Sequence, residues 1–256
     1  MSTPGTERES LAEGSLISHL LELRDRLLRA VIAVAVMFVP CAFFQDELYT
    51  LVAMPLLQKL PQGASMIATN PVSPFLVPLK LAFMASIFFA MPYILYQVWA
   101  FVAPGLYRHE KRFAVPLVVS SILLFYCGIC FAYFVVYPLM FDFLATSGPE
   151  GVAFTPEIAE YLNFVLLLFF AFGIAFEVPV ATVLLAATGL VRIETMTKNR
   201  GYVILGIFIV AAFLTPADAI SQTLMAVPMW LLYEAGVIMS RILLKDRLAR
   251  QAKESP

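Results

Sequence analysis

The sequence predicts an all-α, polytopic membrane protein with six transmembrane helices, both termini cytoplasmic and two short C-terminal spans. Three observations predict it. The 256-residue chain is 61% hydrophobic and only 14% charged, with a mean hydropathy of +0.86, well above the apolar content of an ordinary soluble domain. Its apolar residues gather into six blocks, at 27–44, 76–103, 113–145, 158–190, 201–215 and 219–241. Of its 17 Lys and Arg residues, only Lys59 and Lys80 fall outside one side of a six-span arrangement.

That one-sidedness sets the orientation. Arg8, Arg24, Arg26 and Arg29 precede the first block, and Arg108, Lys111 and Arg112 lie between the second and third. Arg192, Lys198 and Arg200 separate the fourth and fifth, while Arg241, Lys245, Arg247, Arg250 and Lys253 accompany or follow the sixth. By the positive-inside rule these segments are cytoplasmic, and 45–75, 146–157 and 216–218 face outward. The net charge of −1 conceals this partition and says nothing about partners. Nucleic acid is not expected as a ligand.

The elements follow in order. Leu16, Leu20, Leu23 and Leu27 recur at helical spacing, so residues 15–26 form an interfacial amphipathic helix running into the first span. The polar first 15 residues lack the short apolar core and small-residue cleavage site of a secretory signal. The outer segment 45–75 has room for short helices and contains PLLQKLPQG (55–63). Blocks three and four exceed what a core of roughly 30 Å requires at about 1.5 Å per residue, so they tilt, bend or project. Pro92, Pro138, Pro179 and Pro228 mark places to bend, and packed neighbours satisfy the backbone groups that such prolines free. Block five reaches only roughly 22 Å as a helix, so the bilayer thins there. Residues 242–256 form a cytoplasmic tail, and the whole chain is one six-span domain.

Two acids stand out at the basic border. Glu22 lies in SHLLELRDRLL (18–28) and Glu110 in GLYRHEKRF (105–113). Fixed carboxylates among membrane-border cations suit a ligand carrying two positive charges. Each also has a plainer reading: Arg26 stands at i+4 from Glu22, in the favourable order for a helical ion pair, and Glu110 begins a span, where the helix dipole favours an acid.

Within the spans, Glu177 and Glu234 are expensive acids that must face the bundle interior, a wet cavity or a polar partner. Each serves as a hydrogen-bonded structural acid, a proton relay or an attachment point for a partner helix. Thr215, Asp218, Ser221 and Gln222 cluster at the tight turn between blocks five and six. Thr215 and Gln222 either bond an incoming helix or cap helix ends. Cys127 and Cys130 form a CxxC pattern inside block three, where apolar surroundings and the lack of a basic neighbour favour plain packing over redox chemistry. Cys41 reads the same way. His19 and His109 have no partners at ligand spacing, so no metal, cofactor or catalytic group is expected; nothing resembles a serine elbow, a metalloprotease helix or a phosphate loop.

Several segments in one order resemble the TatC family, the polytopic core subunit of the twin-arginine protein translocase. They are SHLLELRDRLL (18–28), the PLLQKLPQG segment with Pro55, SPFLVPLKL (73–81), YQVWAFVAPGLYRHEKR (96–112), FAYFVVYP (131–138), FGIAFEVPV (172–180) and LTPADAISQTLMAVPMWLLYE (214–234). One departure is visible in TPAD, where related sequences commonly carry a second proline before the aspartate; it bears on turn rigidity. The resemblance implies a concave bundle in a bacterial cytoplasmic (inner) membrane. It implies a non-enzymatic receptor for signal peptides bearing paired arginines, exporting folded proteins with the protonmotive force. Partners implied are single-span TatA-like and TatB-like subunits, further copies of the chain within a larger complex, and the lipid bilayer.

Residue by residue, the resemblance carries the signal-peptide site onto Glu22 and Glu110, with Arg24, Phe101, Pro104 and Leu106 around them. Pro55 matches a sensitive outer-loop position, Glu177 the acid of the concave face, and Thr215 and Gln222 the polar cluster that meets partner helices. A guanidinium presents a planar fork to a carboxylate where lysine presents a point charge, so an arginine pair is distinguishable from a lysine pair. The rival reading is a proton-coupled secondary transporter using Glu177 or Glu234. An intramembrane hydrolase ranks last, since no nucleophile and base can be named.

Overall fold

The computed structural model describes residues 4–57, 66–106, 114–146, 155–215 and 219–244, with side chains from residue 17 onward except 102–106, 114 and 144–146. The described chain is helical nearly throughout and forms two compact units. One comprises residues 1–45 and 82–118, the other 46–81 and 119–256. Among the described residues, five helical segments are long and apolar enough to cross a membrane: Ile17–Phe43, Ser73–Phe101, Val115–Phe143, Ile158–Ala187 and Ala219–Leu243. Arg200–Leu214 is apolar but only 15 residues long.

In the first unit, α1 (Pro4–Phe43) carries the amphipathic stretch and the first span as one helix. It packs antiparallel to α3 (Ser73–Leu106) over the part of α3 belonging to this unit. Phe38 meets Phe83 edge-on with ring centroids 6.1 Å apart, Arg26 meets Gln97, and His19 meets Phe101. As the α1 position falls, its α3 partner rises, which is the register of two antiparallel helices. Most of α1's large apolar side chains are exposed, Leu27, Val31, Ile32 and Val36 among them. An apolar face of that kind is tolerable only against lipid or a partner.

The second unit begins with α2 (Gln45–Leu57), which opens with Asp46 and Glu47 in its first turn, where the helix dipole favours acids. Pro55 lies inside α2 and has no N–H for the carbonyl four residues back, that of Leu51. The Tyr133 hydroxyl donates to this Leu51 carbonyl at 3.3 Å. Beside it, the Tyr161 hydroxyl donates to the Val52 carbonyl at 2.7 Å and lies 2.6 Å from the Tyr137 hydroxyl. Since Tyr161 spends its proton on Val52, Tyr137 is the donor between them. Burial among these elements pushes the Tyr49 phenol of α2 upward. Tyr161→Phe leaves the buried Tyr137 hydroxyl without its acceptor, so a loss of about 1–3 kcal/mol is expected. A lowered thermal unfolding midpoint of the detergent-solubilised protein checks it; an unchanged midpoint shows that the hydroxyl chain contributes nothing.

The two long blocks are each interrupted beside a proline. The third comprises α4 (Ala114–Phe131), a π-helical turn at Ala132–Val136 and α5 (Tyr137–Thr146). The wider turn immediately precedes Pro138, and π-turns of this kind accommodate an interrupted hydrogen-bond ladder. It stacks Tyr133 on Tyr137 at 6.4 Å with nearly parallel rings. The fourth comprises α6 (Ile158–Ala175) and α7 (Val178–Ala187), broken at Phe176–Glu177 just before Pro179. The Glu177 N–H turns to the Ile174 carbonyl at 3.0 Å, three residues back, tightening the last turn of α6. In contrast, α3 continues through Pro92 and α10 (Ala219–Leu243) through Pro228.

Glycines bring these helices close. A Cβ on Gly128 would lie 2.5 Å from the Phe172 carbonyl oxygen, so α4 and α6 touch backbone to backbone. After α7, Gly189 takes a positive φ of 74°, the left-handed conformation that ends helices most readily with glycine. Short α8 (Ile193–Lys198) and α9 (Arg200–Leu214) follow. Ile193, Met196, Tyr233 and Val237 form a buried cluster joining α8 to α10, with Val178, Leu185 and Val203 packed against it. The Tyr233 hydroxyl donates to the Met196 carbonyl at 2.9 Å.

All three cysteines are free: Cys41 is buried, while Cys127 and Cys130 are exposed. Both sit on the outer flank of α4, while Phe125 and Gly128 take the inner positions.

Candidate functional site

The sequence-predicted site residues divide into three groups, and the first is on α1. Glu22 Oε1 accepts two hydrogen bonds from Arg26, from Nε at 2.9 Å and from Nη2 at 2.7 Å. The i to i+4 spacing on a continuous helix makes this contact available without backbone adjustment. Arg26 Nη1 donates to the Gln97 side-chain oxygen of α3 at 3.1 Å. Glu22 Oε2 has a looser neighbour, His19 Nδ1 at 3.9 Å, one turn earlier. The His19 ring in turn stacks on Phe101 with centroids 4.2 Å apart.

Burial grades this network. Gln97 is 5% exposed, the Arg26 side chain 20% and that of Glu22 38%. The pair is therefore anchored on the buried side and open on the Glu22 side. Chemically it is a half-buried carboxylate with one oxygen held by a guanidinium and the other 3.9 Å from His19, a member of the aromatic stack. Arg24 is turned to Asp25 instead, with Nε and Nη2 at 3.0 and 2.8 Å from Oδ1, and is well exposed. Glu110 lies outside the described residues. Pro104 and Leu106 sit in the last turns of α3, and their side chains are likewise outside. The structure thus brings Glu22 and Phe101 into one network and leaves the Glu22–Glu110 relation undescribed.

Gln97 and Arg26 were not singled out as site residues by the sequence. The one available signal for Gln97 was a lone amide in the apolar run of block two.

The second group is intramembrane. Glu177, at the break between α6 and α7, accepts a very short hydrogen bond from the Ser121 hydroxyl of α4 through Oε2. Ser121 is fully buried. Glu177 Oε1 is buried with no hydrogen-bond partner among the described residues, an arrangement that costs free energy unless a proton or further polar group meets it. Glu234 is a paired acid: Arg200, the first residue of α9, places Nε 2.6 Å from Oε1 and donates from Nη2 to Oε2 at 2.7 Å. One hydrogen bond, to Oε2, and a close ion pair at Oε1, which has no hydrogen-bond partner among the described residues, supply the polar partner an acid in a span requires.

The third group closes the hairpin of α9 and α10. Thr215 Oγ1 donates to the Ala211 carbonyl at 2.9 Å, and Gln222 Nε2 donates to the Phe208 carbonyl at 2.9 Å. These bonds satisfy carbonyls near the end of α9; Asp218 is outside the described residues. Beside the hairpin, a cavity of about 510 Å³ runs between α6, α7, α9 and α10, lined by apolar residues including Ala171, Val178, Val203 and Gly206. Pro55 sits in α2, four residues after Leu51, whose carbonyl accepts from Tyr133. Among the described residues no group of three or more His, Cys, Asp and Glu side chains forms a metal site.

Comparison with known proteins bears on the family of the chain. Residues 18–228 match the family model described as Sec-independent protein translocase protein (TatC). The chain is 59% identical to the Sec-independent protein translocase protein TatC of Azotobacter chroococcum over 222 residues, covering 87% of each chain. It is 56% identical to that of Escherichia coli K12 over 226 residues, covering 88% of each. It superposes on a crystal structure described as the twin arginine translocase receptor TatC in DDM with a TM-score of 0.81 at 38% identity, covering 87% of this chain and 99% of that one.

Proposed function

This chain belongs to the TatC family and is a non-enzymatic, multi-pass membrane subunit of a twin-arginine translocase; from that premise we propose that Glu22 is its arginine-recognition group. Membership in a Sec-independent translocase implies a multi-subunit complex. Within it, this chain receives signal peptides bearing paired arginines and holds single-span TatA-like and TatB-like subunits, in a bacterial inner membrane with both termini cytoplasmic and six spans. The observation that carries the reading is the α1 carboxylate: one oxygen is fixed by Arg26, and the other has only a loose neighbour in His19, whose ring stacks on Phe101.

An incoming guanidinium finds there an acceptor already oriented, so little side-chain entropy remains to be lost on binding. Glu110, among Arg108, Lys111 and Arg112, is proposed as the second acceptor. Two charged hydrogen-bonding contacts of about 1.5–3 kcal/mol each are enough to discriminate a tag. The apolar cavity between α6, α7, α9 and α10, on the hairpin that Thr215 and Gln222 close, supports docking of a partner helix. Export of folded precursors is taken to run on the protonmotive force, with Glu177 the acid best placed to exchange a proton.

Export of a folded precursor into inverted membrane vesicles tests this. Glu22→Ala and Glu177→Gln each reduce export, and neither alters proton-coupled uptake of small solutes. Loss of solute uptake with export intact would favour the transporter reading instead.

A further inference from the structure

We propose that Arg26 is the specificity filter of this receptor: an internal guanidinium already seated on Glu22, against which an incoming ligand must compete. The inference rests on the proposed recognition of paired arginines at Glu22 and adds to it the residue that decides which cation succeeds.

Arg26 places Nε and Nη2 on Glu22 Oε1 and Nη1 on Gln97. Its five N–H donors form a rigid planar fork, so one anchor on the buried Gln97 fixes the plane in which the other edge meets Glu22. A ligand cation approaching the carboxylate therefore meets a positive charge in place. It binds through the open Oε2 while tolerating Arg26, or it displaces Arg26 from Oε1.

The two routes treat arginine and lysine differently. A ligand guanidinium is weakly hydrated, shares the fork geometry and can replace what Arg26 gives up, so the exchange is close to balanced. A lysine ammonium is compact and strongly hydrated; it must lose more water and cannot reproduce the two N–H contacts that Arg26 converges on Oε1, so it fails against the seated competitor. An unoccupied Glu22 would instead attract either cation by charge, with modest discrimination. Specificity at this position thus comes from repulsion and competition as well as attraction.

The consequence is counterintuitive: removing a basic residue makes the receptor accept lysine. Full-length protein in nanodiscs is titrated by fluorescence anisotropy with two labelled synthetic signal peptides that differ only in carrying paired arginines or paired lysines. In Arg26→Gln, lysine-peptide binding strengthens and the arginine-to-lysine affinity ratio falls at least about tenfold, roughly 1.4 kcal/mol. Gln97→Leu, which removes the buried anchor of Arg26 at Nη1, moves the ratio in the same direction by less, and decides the matter should Arg26→Gln fail to fold. A ratio equal to that of the unaltered protein overturns the proposal. So does an equal loss of both peptides, because Arg26 would then only be holding Glu22 in position. Glu22→Gln separates the two levels: if it leaves arginine-peptide binding intact, the recognition site itself is misplaced, whereas if it abolishes binding while Arg26→Gln keeps the ratio, only the filter fails.

Discussion

Glu22→Gln lowers affinity for a paired-arginine signal peptide by about tenfold to a hundredfold, the equivalent of the roughly 1.5–3 kcal/mol contributed by a hydrogen bond to a charged group. The substitution keeps the shape of the side chain and removes its charge. Glu22 is more than a third exposed, so the Glu22–Arg26 pair itself contributes only about 0–1 kcal/mol to folding. The folded protein is therefore retained, and the loss appears in binding rather than in the unfolding midpoint. Peptide titration against the purified variant, with thermal unfolding measured in parallel, checks both halves. A fall in both together would make Glu22 a structural residue.

Gly236→Leu has the other large effect, and on the fold. A Cβ at this position would lie 2.8 Å from the Pro179 Cα and closer still to the Thr182 hydroxyl. Neither neighbour can yield cheaply. Pro179 is backbone, and Thr182 is buried and donates to the Pro179 carbonyl at 2.8 Å. Leucine therefore forces α7 away from α10, at a cost of about 1–3 kcal/mol for overpacking. The displacement falls two residues after Glu177, so the Ser121 contact moves with it. Gly201→Leu is the matched control, because a Cβ there meets nothing within 4 Å. Expected are a lowered midpoint and loss of folded-protein export for Gly236→Leu, with both retained for Gly201→Leu.

Much of this architecture was legible in the sequence, for physical reasons that differ by element. Helical spans are readable because a chain in hydrocarbon must satisfy its backbone within each segment. The excess length of the third and fourth blocks foretold bending, and two of the four candidate prolines, Pro138 and Pro179, sit beside the observed interruptions. Pro92 and Pro228 do not interrupt their helices, because proline by itself fixes a missing donor and leaves the response to the neighbours.

The site was legible only in part. Glu22 and Arg26 follow from i to i+4 spacing, but the contact with Gln97 spans 71 positions and depends on how α1 and α3 are registered. The same applies to Glu234, which looked isolated in block six until Arg200 of α9 was placed against it. Ser121 carried no signal as a partner for Glu177, since serine is unremarkable within a span. Which flank of α4 Cys127 and Cys130 occupy was not legible either, because an outward flank and a packed one are both apolar within a span.

The central claim is that the open carboxylate of α1 reads arginine pairs. A photoreactive amino acid introduced at Leu23, exposed beside Glu22 on α1, and irradiated with radiolabelled precursor measures this directly. Strong labelling by the paired-arginine precursor, weak labelling by its paired-lysine counterpart, and loss of the difference in Glu22→Gln are the predicted result. Equal labelling by both precursors that persists in Glu22→Gln would contradict it.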